Sequence, residues 1–465
     1  VVLFSFRSAI AGLAATTLFG LTLWGQAAQQ NWKDRGEYDL VQSITKEQNP
    51  QTKLGLIQSW QEKYPTSDFK DDRSQALIQT YQQLGKAKEM LETAKQWVAT
   101  NPKAFPGWYW ICALTVSMQD TSGPALDQGS NAAKALLGLV DDTFSPARKA
   151  AQVTDEQWKQ QRGGAEAVAY RTLGWVALQK KEYEEADKNL IESLKRNPAD
   201  AQASHWAATA NLRTKKLERQ GLALFHFCRA SQVEGPGAFP QATRDKLRES
   251  FEKNYINFHG NKDGIEEVIA KAKVSAIPEG IVIESQDEIL AKQEEALKKT
   301  NPMLALWISI KKELTSANSA AYFDGSLKNS QIPGGVEVGT TKVEKFKGKV
   351  VSCDVAAPKK PKKIVLGISS AEVSEVTLAF ENALSTVCPD PGTELEFSGV
   401  PTAFTAEPFN LTFDVEPAGV SGLPTPPKGV AKKAVAPAAK KAVAPAAKKA
   451  VAPAAKKAAA PAAKK

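Results

Sequence analysis

The chain has 465 residues, 42% of them hydrophobic and 24% charged, which is enough for two or three domains with real cores. Its formal net charge is +9, yet eleven lysines and no acid follow Ser421, so everything before that point is close to neutral. This excludes a strongly basic folded body; the positive charge belongs to the tail.

The first residues read VVLFSFRSAIAGLAATTLFGLTLWGQAAQQ. Arg7 precedes an apolar run from Ala9 to Trp24, and Gly25 and Ala27 place small residues where a signal peptidase cuts. The expectation is an exported protein of the periplasm or cell envelope, with residues 1–27 as signal peptide, or membrane-anchored if the run is retained. The run has 16 residues, fewer than the ~20 a span needs. Four cysteines follow: Cys112, Cys228, Cys353 and Cys388. None forms a close CxxC pair, so a zinc finger or thioredoxin-like site has no support.

Residues 30–240 alternate helix, short break, helix. The clearest stretch is VAYRTLGWVALQKKEYEEADKNLIESLKRNPAD, with apolar or small residues at Val168, Leu173, Gly174, Ala177, Ala186, Leu190, Ser193 and Leu194. Steps of three and four give two amphipathic helices. Gly174 and Ala186 are small where the helices cross, and Pro198 ends the unit. The stretch resembles the tetratricopeptide repeat (TPR), whose signature positions are occupied here by Tyr170, Leu173, Gly174, Ala186, Leu190 and Pro198. Ala177 and Ser193 depart from the pattern. Leu77, Tyr81, Gly85 and Pro102 mark a weaker copy, Trp108 and Ile111 another, and further copies end at Pro65 and begin near Ser204. About five units can share a continuous solenoid core.

Residues 241–330 stay helical without the period and read as an adaptor. Residues 334–416 then show five β-rich runs: EKFKGKVVSCDV, KKIVLGI, SEVTLAFE, TELEFSGVPTAFTA and FNLTFDVE. Their end resembles the last strands of an OB-fold, which implies a small five-stranded barrel. On that reading Cys353 ends the first strand and Cys388 precedes the fourth. Both would meet at one barrel end as a disulfide in an oxidising compartment. Lysines 359, 360, 362 and 363 read as a solvated inter-strand loop. Residues 417–465 read as a disordered lysine–alanine–proline tail, since a proline every eight residues prevents one long helix. The fold class is therefore mainly α: a TPR-like solenoid, a small OB-like β domain and a basic tail.

No phosphate-binding GxxxxGK[ST], HExxH, GxSxG or GxGxxG occurs, and no metal or cofactor site is apparent. His226 and Cys228 lie two apart, on different sides of a helix, and Cys228 and Cys112 occupy small core positions. The expectation is a non-enzymatic interaction scaffold. A TPR groove would present Arg171, Trp175 and Gln179, then His205, Thr209 and Arg213, with Tyr109 upstream. An Arg171–Arg213 pair beside Trp175 would hold an acidic peptide or a chain carboxylate. The alternative is that Trp175 packs between repeats and the arginines are ordinary surface. In the tail, Lys432, Lys433, Lys440, Lys441, Lys448, Lys449, Lys456 and Lys457 would engage anionic envelope polymers or lipid head groups by counterion release. Competing classes are a polyanion- or nucleic-acid-binding protein acting through the tail and OB-like domain, with Phe397, Phe404, Phe409 and Phe413 as candidate stacking platforms, and a self-assembling structural protein.

Overall fold

The computed structural model describes residues 31–357 and 360–424. The apolar leader, Lys359 and the repeats holding Lys432 to Lys457 lie outside the described residues. The chain divides into two compact units, up to Asp287 and from Glu288 onward. Among the described residues no helix is long and apolar enough to cross a membrane.

Among the described residues the first unit is a TPR-like solenoid of five helical hairpins: α1 (Arg35–Lys46) with α2 (Pro50–Lys63), α3 (Lys70–Gln83) with α4 (Ala87–Thr100), α5 (Phe105–Met118) with α6 (Gly123–Thr143), α7 (Asp155–Gln179) with α8 (Tyr183–Arg196), and α9 (Ala201–Arg213) with α10 (Leu217–Gln232). The α7–α8 crossing is close because Gly174 has no side chain. A Cβ there would lie 2.6 Å from Leu190 Cγ and 3.2 Å from the Ala186 carbonyl oxygen. Ser193, where the TPR pattern has alanine, donates its hydroxyl to the Ala167 carbonyl at 2.9 Å. Cys112 and Cys228 are fully buried in the helical core.

Four of the five hairpins turn through one left-handed residue: Gly85, Gln119, Lys181 and Lys215, with φ of 69°, 54°, 65° and 59°. Gly85 to Gln119 and Lys181 to Lys215 are each one 34-residue repeat apart. Helix α7 begins at Asp155, well before its signature residues. A capping box between Thr154 and Gln157 starts it, and Trp158 donates Nε1–H to the Phe144 carbonyl at 3.0 Å.

The adaptor is not one block. Its first half, α11 (Gln241–His259) and α12 (Ile265–Val274), closes the solenoid: Phe251, Tyr255, Ile265 and Val268 share a core with Leu224, Phe225 and Cys228 of α10. Arg229 staples this end by donating to the Ala272, Lys273 and Pro198 carbonyls at 2.7, 2.9 and 2.7 Å. Its second half belongs to the other unit. There α13 (Gln286–Thr300), whose first two residues precede the division, leads into α14 (Pro302–Leu314). Trp307, Ile310 and Leu314 of α14 enter the β core.

The second unit is built on β1 (Val336–Val338), β2 (Thr341–Val343), β3 (Phe346–Ala357), β4 (Lys360–Gly367), β5 (Val376–Ala379), β6 (Glu394–Phe397), β7 (Val400–Ala406), β8 (Phe409–Asp414) and β9 (Val420–Ser421). The five expected runs are β3, β4, β5, β6 with β7, and β8. Pairing runs β3–β4–β5–β8–β7, with β5 and β8 parallel, and β6 returns to β3. Because β6 and β7 are halves of one strand broken at Ser398–Gly399, the circuit closes in an OB-like way. Gly399 permits the break: a Cβ there would lie 2.5 Å from Val415 Cγ1 and 2.8 Å from the Asp414 carbonyl oxygen. Two boundaries are corrected. The fold continues past 417, since β9 pairs with β6 and Val420 is buried. Lys360, Lys362 and Lys363 stand exposed on a strand, not in a loop.

Candidate functional site

The left-handed turn residues index the solenoid. Counting back ten, six and two residues from each gives Gln75, Gln79 and Gln83; Tyr109, Ala113 and Ser117; Arg171, Trp175 and Gln179; His205, Thr209 and Arg213. These are equivalent positions on the first helix of successive hairpins, the helices that line the inner face of such a solenoid. The expected groove residues are therefore in register. Their environments differ.

Trp175 is corrected from binding surface to core. It is 3% exposed and packs with Val116, Leu126 and Val176, with the half-buried Trp206 against them. A large apolar ring between neighbouring hairpins gains more from burial than from exposure. Tyr109 is likewise buried. Arg171 lies half-buried over the Trp206 ring, 5.2 Å from its centroid, and its Nε is 3.1 Å from Asp200 Oδ2. Asp200 also caps α9 by accepting from the Ala203 N–H at 2.9 Å. Arg171 thus already has a carboxylate partner.

The expected Arg171–Arg213 pair does not form. Asp200 places Arg171 beside the start of α9, while Arg213 is the last residue of that 13-residue helix, about 18 Å away along its axis. His205 makes T-shaped ring contacts with Phe227 and Phe239, with centroids 5.6 and 6.1 Å apart. Burial there lowers its pKa. What remains accessible is a polar strip: Gln75, Gln79, Gln83, Ser117, Gln179, Thr209 and the exposed Arg213. Trp206 and Asp200 escaped the sequence reading. The usable signal was Asp200 as a helix-capping residue, since an N-cap aspartate fixes a negative charge at a known place.

Elsewhere, chemistry of other kinds finds little footing. Burial pushes the Cys112 and Cys228 thiols up to about 12, so neither supplies a thiolate near neutral pH. His226 is fully buried and pushed down to about 4. Among the described residues no group of three His, Cys, Asp or Glu side chains could hold a metal ion. Phe397 and Phe413 are fully buried in the barrel. Phe404 meets Phe323 at 5.0 Å and Phe409 meets Trp307 at 5.9 Å, centroid to centroid. Phe397 and Phe413 therefore offer no face for a base, and the half-buried Phe404 and Phe409 pack against the same core. Cys353 and Cys388 are joined in a disulfide, with Cα atoms 6.2 Å apart.

No protein-family model and no curated protein matches the chain. Among solved structures it is similar to a thermophilic TPR protein of Thermus thermophilus, at 16% identity and a TM-score of 0.26, over 47% of this chain and 97% of that one. At that score the likeness carries no argument. The first unit is TPR-like on the strength of its own hairpins: their close crossings, their repeated left-handed turns and the register of their first helices.

Proposed function

We propose that the protein is an exported, non-enzymatic scaffold that holds a protein segment along the inner face of its solenoid. The observation carrying this is the register of the indexed positions. Among them Gln75, Gln79, Gln83, Ser117, Gln179, Thr209 and Arg213 keep polar side chains at least partly at the surface of consecutive first helices, while Tyr109 and Trp175 join the core. With Trp175 in the core and Arg171 committed to Asp200, recognition rests on the glutamine-lined strip and Arg213 rather than on an arginine clamp. The lysine-rich tail acts as a tether to anionic envelope polymers or lipid head groups, and its attachment weakens steeply with salt.

A photo-crosslinking residue at Gln79 or Gln179 in the native protein tests the groove, with Lys188 on α8 as the outward control. Groove positions are expected to give discrete protein adducts that the control lacks. Equal labelling from Lys188, or no adduct from either groove position, would sink the reading. Cell fractionation tests export, and removal of everything after Pro427 tests the tether. The truncated chain is expected to lose heparin and anionic-vesicle binding while keeping its helical content.

A further inference from the structure

Helix α7 carries more chain than a repeat needs. Gln119 and Lys181 mark the turns of the third and fourth hairpins and lie 62 residues apart, 28 more than one repeat. Part of the surplus is the first stretch of α7, Asp155 to Gly164, in which no residue is buried; Ala165 is the first that is. Gly163 and Gly164 stand where the exposed stretch meets the buried one. Among the described residues they are the only two consecutive glycines inside a helix. Neither packing nor backbone conformation requires glycine there. A Cβ at either position would meet nothing within 4 Å, and neither residue has a positive φ. What the pair does is weaken the helix, since each glycine lowers the helical equilibrium about four- to fivefold relative to alanine.

Few contacts hold the stretch in place. Thr154 and Gln157 cap its start, and exposed ion pairs join Lys149 to Asp155 and Arg162 to Asp141. Such pairs contribute little. Arg162 also reaches Glu166 across the glycines at 3.0 Å, but Glu166 is paired with Arg196 as well and keeps that partner if Arg162 leaves. In DEQWKQQR the one apolar side chain is Trp158. Its half-buried ring lies 5.0 Å from that of Phe144, centroid to centroid, and its Nε1–H is given to the Phe144 carbonyl. Phe144 in turn meets Phe105 at 5.5 Å, and both are buried. We propose that residues 155–162 are a lid. It opens by unwinding up to and through Gly163–Gly164, lifts Trp158 off Phe144 and uncovers the Phe144–Phe105 pair while the rest of the hairpin stays folded. Eight residues are too few to hold a helix alone in water, so unseating Trp158 and unwinding the stretch are one event. The glycines uncouple the lid from the buried part of α7, which would otherwise propagate helix outward and keep it closed.

Native-state hydrogen exchange of the full chain reads the opening. The amides of residues 159–164 have their helical acceptors inside the lid. They are expected to share one protection factor, roughly 100-fold or more below that of residues 172–178 and insensitive to low urea. Gly163→Ala with Gly164→Ala is expected to raise that factor roughly 15–30-fold, and Trp158→Ala to lower it. Phe144→Cys is expected to react with a thiol reagent in the native chain, and to react more slowly by the same factor once both glycines are alanine. Protection that climbs residue by residue from Asp155, with no common value, marks ordinary fraying of a helix end and overturns the lid. Exchange of 159–164 only together with 172–178 overturns it too, as does exchange or Phe144→Cys labelling that ignores the alanine pair.

Discussion

Glu375 holds the α14 helix to the barrel, and its loss should show in a defined order of severities. The residue is fully buried just before β5. Its carboxylate accepts from the Lys311 ammonium at 2.7 Å, from the N–H groups of Ile368 and Ser369 at 2.9 and 2.6 Å, and from the Ser369 hydroxyl. Burial alone would raise its pKa. The Lys311 ammonium and the Ser369 and Ile368 donors outweigh burial and hold it below the ordinary glutamate value. Glu375→Gln keeps the shape but turns an amide NH2 toward groups that all donate. The buried donors left without an acceptor together cost about 3–5 kcal/mol. Lys311→Met leaves the carboxylate with its backbone donors, and the Lys311 side chain is 34% exposed. Its loss should therefore cost only about 1–2 kcal/mol. Because the folded pKa is depressed, this stability is present above the unfolded glutamate pKa and fades as pH falls through the folded value. Urea unfolding of the full chain, with hydrogen exchange at Ile368 and Ser369, measures each. Should Lys311→Met cost as much as Glu375→Gln, or Glu375→Gln cost under about 1 kcal/mol, the account of this site as a charge held by backbone donors is wrong.

Gly174→Ala puts a Cβ 2.6 Å from Leu190 Cγ and is expected to destabilise the solenoid by about 1–3 kcal/mol in a urea melt. Lys181→Gly and Lys215→Gly relieve an L-residue held at φ 65° and 59°; each should stabilise by roughly 0.5–1 kcal/mol after the added freedom of the unfolded chain is counted. Replacing Cys353 and Cys388 by serine opens a closure spanning a separation of 35 residues, and should cost about 4 kcal/mol in the same assay. His226, pushed down to about 4 by burial, stays neutral in the fold while the unfolded chain protonates below its ordinary pKa. Stability should thus fall by roughly 3 kcal/mol from pH 6.5 to 4, and His226→Phe should flatten that slope.

The hairpin repeat and the five main strands were legible in the sequence because each is set by local spacing. Leu173, Gly174, Ala186 and Leu190 can serve only a close helical crossing, and the alternation in FNLTFDVE can serve only a strand with one buried face. The strands β1, β2 and β9 were not legible, since two or three residues carry no period. The division of the adaptor was not legible either. The amphipathic patterns of α12 and α14 look alike, and only the partner core decides that one closes the solenoid and the other enters the barrel. The groove shows the same limit most clearly. Repeat register placed Arg171, Trp175, Gln179, His205 and Arg213 at equivalent positions, but register cannot say what the next helix sets against each. Trp206 and Asp200 lie about thirty residues further along the chain, and in the folded solenoid they take up Arg171 while the hairpins bury Trp175. A side chain's facing direction follows from helical geometry; whether it meets water or a neighbour is decided by contacts between residues far apart in sequence.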